Sequence, residues 1–196
     1  LTLDSTSGSE NFDIDNITTI DTTLTSATIA VGAGSITFDQ SGGGSLTITT
    51  AATIDGFIDI SVAGAALDNT GGTITASTGG GASDILLDTT GSGNITLGTL
   101  VAADDTVTIS SAGSLNDDGA GVPDITAATV NLTAVAGIGG NTPVELASVT
   151  LIDSVVTGDG DIDLINASAL SVTVSDFDID GVGSAAYSQI GTGAVV

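Results

Sequence analysis

Three aspartates at alternate positions, Asp176, Asp178 and Asp180, precede Gly181 and form the pattern D-x-D-x-D-G. In helix–loop–helix calcium sites this pattern opens a loop in which alternate carboxylates converge on a hard cation and the glycine permits a sharp turn. The bidentate glutamate that closes such a loop at its twelfth position is replaced here by Tyr187. The pattern therefore predicts a Ca²⁺ site at the three aspartates, or else a strand that turns its two intervening apolar residues inward and its aspartates outward.

A second acidic run, TGDGDIDLI, contains Asp159, Asp161 and Asp163. It differs from the calcium-binding nonapeptide repeat GGxGxDxUx, because Ile162 stands where the liganding aspartate belongs. We expect these three aspartates to be solvated turn residues.

Paired carboxylates at Asp104-Asp105 and Asp117-Asp118 are a further candidate for chemistry, because two carboxylates can flank a glycosidic bond. The chain contains no Lys, Arg or His, so no basic side chain is available to assist proton transfer or to hold an acidic sugar. We therefore expect a protein without enzymatic activity, with a polysaccharide-degrading β-helix enzyme as the alternative.

Alternating threonines occur at Thr47–Thr49, Thr73–Thr75 and Thr106–Thr108. A flat ladder of such threonines would suit an ice-binding surface, but threonine also simply favours exposed strand positions. Both interpretations remain open from the sequence.

The charge balance restricts the partners of the chain. There are 24 acidic residues and no basic ones, for a formal charge of −24, and only Glu10 and Glu145 are glutamates. Such a chain has nothing with which to neutralise nucleic-acid phosphates or an anionic membrane surface, and no apolar run is long enough to cross a bilayer. We expect cations, glycans, further copies of the chain or other surface proteins as partners. Because the chain has no Met, we also expect Leu1 to begin a processed product or a segment of a longer protein.

The unit that repeats along the chain is a triplet with an apolar residue at each end and a polar residue between them. Its copies are Ile36-Thr37-Phe38, Leu46-Thr47-Ile48, Ile58-Asp59-Ile60, Ile95-Thr96-Leu97, Val107-Thr108-Ile109, Val130-Asn131-Leu132, Val149-Thr150-Leu151, Ile162-Asp163-Leu164 and Val172-Thr173-Val174, with weaker copies at Ile74-Thr75-Ala76 and Ile85-Leu86-Leu87. Because strand side chains alternate between two faces, each triplet predicts the centre of a short strand with its end residues buried. Glycine triplets at 42–44 and 79–81 predict turns between such strands.

Two or three such strands would form a coil of about 20–24 residues that can bury its apolar side only against neighbouring coils. The spacing therefore predicts an all-β fold, a parallel β-solenoid, over residues 1–196 as a single domain. A pair of tandem antiparallel β-sandwiches is the alternative. Residues 184–196 are small and polar, and we expect them to be a cap, a partner-binding strand or a disordered tail.

Two adjacent stretches carry a resemblance to a known family. GNITLGTL at 93–100 and DTVTISSAGSL at 105–115 resemble the filamentous-haemagglutinin-type repeats of large bacterial surface and secreted adhesins, which run GxIxLGxLxAxxxVxLxAxGxI. The match is good over roughly 93–120, looser over 35–62 and 145–175, and absent in the tail. The resemblance implies a right-handed parallel β-helix displayed outside the cell.

These observations lead to one expected function and one alternative. We expect an extracellular structural or adhesive repeat protein that forms a stalk, fibre or surface layer and is stabilised by calcium. The alternative is a calcium-dependent adhesion module that binds a glycan or another copy of the chain.

Overall fold

The computed structural model describes residues 1–6, 10–30, 32–76 and 83–196, and its strands stack in parallel as a β-solenoid of about eight coils. No helix occurs among these residues. The predicted solenoid is confirmed, and the strands do not pair back and forth as the sandwich alternative requires. The turn predicted at Gly79–Gly81 lies outside the described residues.

Successive coils build three faces, within which neighbouring strands are parallel. Face 1 contains β1 (Thr2–Ser5), β4 (Ser26–Ile29), β7 (Thr50–Thr53), β10 (Thr73–Ala76), the first halves of β13 (Thr99–Ser111) and β15 (Ile125–Ala134), and β16 (Val144–Ala147). Face 2 contains β2 (Phe12–Asn16), β5 (Ile36–Gln40), β8 (Ile58–Ala63), β11 (Ile85–Thr90), the second halves of β13 and β15, β17 (Leu151–Val156) and β19 (Thr173–Ile179). Face 3 contains β3 (Thr22–Leu24), β6 (Leu46–Ile48), β9 (Leu67–Asp68), β12 (Ile95–Leu97), β14 (Leu115–Asp117) and Ile138. The first parts of β18 (Ile162–Asn166) and β20 (Ala185–Gln189) also lie on face 3, and both strands continue into face 1.

The core is a set of vertical ladders of aliphatic side chains. On face 2, one ladder consists of Ile36, Ile58, Ile85, Val107 and Val130, paired in register from coil to coil and fully buried. Because the strands pair in parallel and in register, each inward side chain stacks on the inward side chain at the same position of the preceding coil. The apolar–polar–apolar triplet therefore recurs once for each strand of a coil. Burial of each such side chain contributes roughly 1.5–3 kcal/mol, so the stack supplies the core that a single coil lacks.

The stretch that carries the family resemblance is one complete coil. Ile95 and Leu97 are buried on face 3, Leu100 and Ala102 on face 1, and Val107 and Ile109 on face 2, after which the chain returns to face 3 at Leu115, the register partner of Ile95. The apolar positions of the repeat are therefore the inward positions of the three faces.

Coil length varies around the expected value. The register partners Ile95 and Leu115 are 20 residues apart, whereas Leu67 and Ile95 are 28 apart. At corners between faces where successive coils come close together, glycine is needed. A Cβ atom on Gly56 would collide with the carbonyl oxygen of Gly34 in the preceding coil.

One predicted strand is wrong. Val149-Thr150-Leu151 is a corner, because β16 ends at Ala147 and β17 begins at Leu151, with Ser148 between them in the left-handed region at φ 61°. Val149 is buried at this corner. An inward-turned corner residue followed by a strand produces the same apolar–polar–apolar letters as a strand centre.

The last residues continue the solenoid. Within 184–196, β20 pairs in parallel with β18, and Val195 forms a parallel bridge with Val172. The ring of Tyr187 meets that of Phe177 edge to face, with centroids 6.3 Å apart. In this structure the tail adds part of one further coil.

Candidate metal centre

The aspartates of the predicted calcium loop lie in a row along a strand. Asp176 and Asp178 are exposed on β19 and Asp180 directly follows it, while Phe177 and Ile179 are partly buried against the core. Alternate strand residues are separated by roughly 6.6 Å along the chain, so these carboxylates do not encircle a point as they do in a loop. Calcium binding by these three residues stays a prediction.

Many other aspartates and asparagines join one coil to the next. At the corners, where the ladder of backbone hydrogen bonds is interrupted, the side-chain oxygen accepts a hydrogen bond from a backbone N–H of the following coil. The acceptor–donor pairs are Asn11–Ser35 (2.9 Å), Asp21–Ser45 (2.9 Å), Asp84–Thr106 (3.0 Å), Asn94–Ser114 (2.8 Å), Asp124–Glu145 (2.8 Å), Asp159–Val182 (2.8 Å) and Asp161–Ser184 (2.7 Å). A short side chain held close to the backbone suits this contact, which explains the preference for aspartate over glutamate.

A cluster of carboxylates occupies the corner between faces 3 and 1. One carboxylate oxygen from each of Asp117, Asp118 and Asp124 lies within 4.8 Å of the others. Asp117 ends β14, Asp118 follows it, and Asp124 directly precedes β15, to which this corner leads. The connecting loop turns through Gly119 and Gly121, whose φ angles of 81° and 65° lie in the left-handed region that glycine adopts without strain.

Glu145 joins this cluster from the next coil. The register of β15 with β16 pairs Ile125 with Leu146, which places Glu145 beside Asp124. The backbone N–H of Glu145 donates to Asp124 Oδ2 at 2.8 Å. Four carboxylates from two successive coils are thus gathered at one corner, and we call them the corner cluster (Asp117, Asp118, Asp124 and Glu145).

The electrostatics of the corner cluster favour a bound proton or cation. Asp124 is only 2% exposed, and this burial, reinforced by the charges of Asp117 and Glu145, raises its pKa to about 8, although the N–H of Glu145 acts in the opposite direction. Burial followed by the negative charge of Asp117 also raises the pKa of Glu145. Since the chain has no Lys, Arg or His, no side chain can neutralise the cluster.

Carboxylate oxygens gathered in this way are the donors that hard cations such as Ca²⁺ take. Sequence reasoning placed Asp117-Asp118 among possible glycosidase carboxylates and did not single out Asp124 or Glu145. The DDG turn at 117–119 was visible in the sequence, and Asp124 stands in the same connection. Glu145 arrives through the register of β15 with β16, for which no local signal exists.

The other candidates are dispersed. Thr47 lies on face 3, Thr73 on face 1 and Thr106 on face 2, so the three threonine runs do not share one flat array. Asp104 and Asp105 lie inside β13 at the bend between its two faces, with Asp104 in the left-handed region at φ 67°.

Face 2 also carries a shallow groove of about 380 Å³ on its outer surface. Its walls include the half-exposed side chains of Phe57 and Leu86, with Asp59, Thr106 and Thr108 beside them. Burial, and then the charges of Asp88 and Asp39, raise the pKa of Asp59. The groove combines an exposed aromatic ring with carboxylate and hydroxyl groups.

Comparison of the chain with protein-family models, with curated proteins and with solved structures found no match. Within the described ranges, no helix has the length and apolar character needed to cross a membrane.

Proposed function

We propose that this chain is a structural segment of an extracellular protein that forms a stalk, fibre or surface layer. The observation that carries the proposal is the continuous stack of parallel coils, whose ladders run through all three faces. Each added coil lengthens such a stack by roughly 4.8 Å without widening it, which suits a spacer or a filament.

The surface chemistry supports a location outside the cell. The outward positions carry aspartate, threonine and serine, and the chain lacks Lys and Arg altogether. Trypsin-like proteases, which cut after those two residues, have no cleavage site here. Every exposed loop is therefore protected against one common class of extracellular protease.

Immunogold labelling of the cells that produce the chain tests this proposal. Antibodies against the chain should label the outer surface of intact cells or fibres in the medium. Label that appears only after the cells are permeabilised would contradict an extracellular scaffold.

The groove on face 2 favours a second candidate, a calcium-dependent adhesion module that recognises a glycan. An exposed aromatic ring beside carboxylate and hydroxyl groups provides a stacking surface and hydrogen-bonding partners for a sugar. A glycan array probed with the wild type and with Phe57→Ala distinguishes the two candidates. Binding that requires Phe57 supports the adhesion module. Identical array signals from both proteins would contradict glycan binding in this groove.

A further inference from the structure

We infer that the corner cluster is a binding site for one divalent cation and that the cation is Ca²⁺. Such an ion would connect two successive coils, because Asp117, Asp118 and Asp124 lie at the connection from β14 to β15, and Glu145 lies on β16 in the next coil. This site is separate from Asp176, Asp178 and Asp180, and the inference holds whether or not the chain is an extracellular scaffold.

Several oxygens of the corner cluster already accept hydrogen bonds from the backbone. Asp117 Oδ1 accepts a hydrogen bond from the N–H of Gly119 at 2.9 Å. Asp118 accepts from Ala120 with Oδ1 and from Gly71 with Oδ2, both at 2.9 Å. These contacts hold the loop in place before any ligand is considered.

Among the remaining oxygens, Asp117 Oδ2 and Glu145 Oε2 point to a ligand. Each is sealed from solvent, and no N–H or hydroxyl group within the described part of the chain donates to it. The group that faces both side chains is the carboxyl of Asp124, which is 2% exposed and can donate to only one of them, and only when it carries a proton. A buried carboxylate oxygen without a partner is strongly unfavourable, and two of them beside a buried third carboxylate call for a positive ligand.

The geometry of the cluster suits Ca²⁺. Oxygens coordinated to Ca²⁺ lie at about 2.4 Å from the ion, so two of them can be up to about 4.8 Å apart. The oxygens of Asp117, Asp118 and Asp124 lie within that limit. Ca²⁺ also accepts irregular shells, whereas Mg²⁺ demands a nearly ideal octahedron, which carboxylates already held by their own hydrogen bonds are less suited to form.

Glu145 also lines a small cavity of about 200 Å³ together with Gly121, Val122 and Pro123. Because Ca²⁺ takes six to eight oxygens, water molecules would have to complete a coordination shell that these carboxylates begin.

Isothermal titration calorimetry on chelator-treated protein tests the inference, with CaCl₂ and MgCl₂ as titrants. The variants are Glu145→Gln and Asp117→Asn, which remove one charge each and keep the side-chain shape. The matched control is the triple variant Asp176→Asn, Asp178→Asn and Asp180→Asn, which removes three exposed carboxylates on β19. Far-UV circular dichroism verifies that each protein is folded in chelator.

We expect the wild type to bind one Ca²⁺ per chain at its tightest site, with weaker binding of Mg²⁺ and a higher melting temperature in Ca²⁺. Glu145→Gln and Asp117→Asn should each weaken that site at least tenfold, while the triple variant retains it. The inference is overturned if the folded wild type shows no saturable Ca²⁺ binding, if Glu145→Gln and Asp117→Asn bind as the wild type does, or if only the triple variant loses binding.

Discussion

Replacing Asp124 by asparagine should change how the stability of the metal-free protein depends on pH. Burial raises the pKa of Asp124 from 3.8 to about 8 in the folded state. Between these values the folded protein keeps a proton on this carboxyl that the unfolded chain has lost. The folded state then binds more protons than the unfolded state, so stability falls as pH rises through this window.

The size of the effect follows from the linkage relation. Each pH unit within the window changes the free energy of unfolding by about 1.4 kcal/mol per proton. From pH 5 to pH 8, Asp124 therefore costs the wild type up to about 4 kcal/mol. For a chain of this size, about 1 kcal/mol shifts the melting temperature by roughly 2–4 °C, so the loss corresponds to roughly 8–16 °C.

Asparagine is the appropriate replacement because it cannot ionise and still offers an oxygen to the N–H of Glu145. The assay is thermal and urea unfolding of the wild type and Asp124→Asn at pH 5, 6, 7 and 8, all in chelator. Carboxylates away from the corner cluster contribute equally to both proteins, so the difference between the two pH slopes reports Asp124 together with its effect on Asp117 and Glu145. Parallel slopes for the two proteins would refute the reasoning about this buried carboxyl.

Three further predictions concern the stack itself, each measured by urea unfolding. Asp84→Ala should lower stability by about 1 kcal/mol because the N–H of Thr106 loses its acceptor, whereas Asp84→Asn should stay close to the wild type. Equal effects of the two changes would contradict a stabilising hydrogen bond from Thr106 to the side chain of Asp84. Leu87→Ala should cost roughly 2–5 kcal/mol, because Leu87 is fully buried and both neighbouring coils hold the cavity open, and a loss below about 1 kcal/mol would argue against a close-packed ladder. Ser154→Ala should raise stability by about 1 kcal/mol, since the buried Oγ of Ser154 has no partner among the described residues; a decrease would mean that this hydroxyl is bonded.

The strands could be predicted from the sequence because their signal is local. In Ile58-Asp59-Ile60 and Ile95-Thr96-Leu97 the end residues are buried and the middle residue faces outward, as the alternation of strand side chains requires. The same rule failed at Val149, where a buried corner residue imitates a strand. Alternation identifies which residues point inward but not whether the chain is extended or turning at that point.

The candidate site was predicted less well than the fold. The D-x-D-x-D-G pattern drew attention to Asp176, Asp178 and Asp180, which the structure holds in a row on β19. The inferred site contains Asp124 and Glu145, which are 21 residues apart. No sequence pattern links these two residues to each other.

The sequence by itself determined that the chain forms short strands, favoured stacking them in coils, and showed that no side chain of the chain can neutralise its carboxylates. The strands follow from the alternation of apolar and polar residues with a period of two, which is a property of neighbouring residues. The statement about charge follows from composition alone. The tertiary structure alone decided which carboxylates meet. Coil length varies from 20 residues between Ile95 and Leu115 to 28 between Leu67 and Ile95. The partner of an acidic residue in the next coil is therefore set by the register of the stack, which depends on the packing of the whole core.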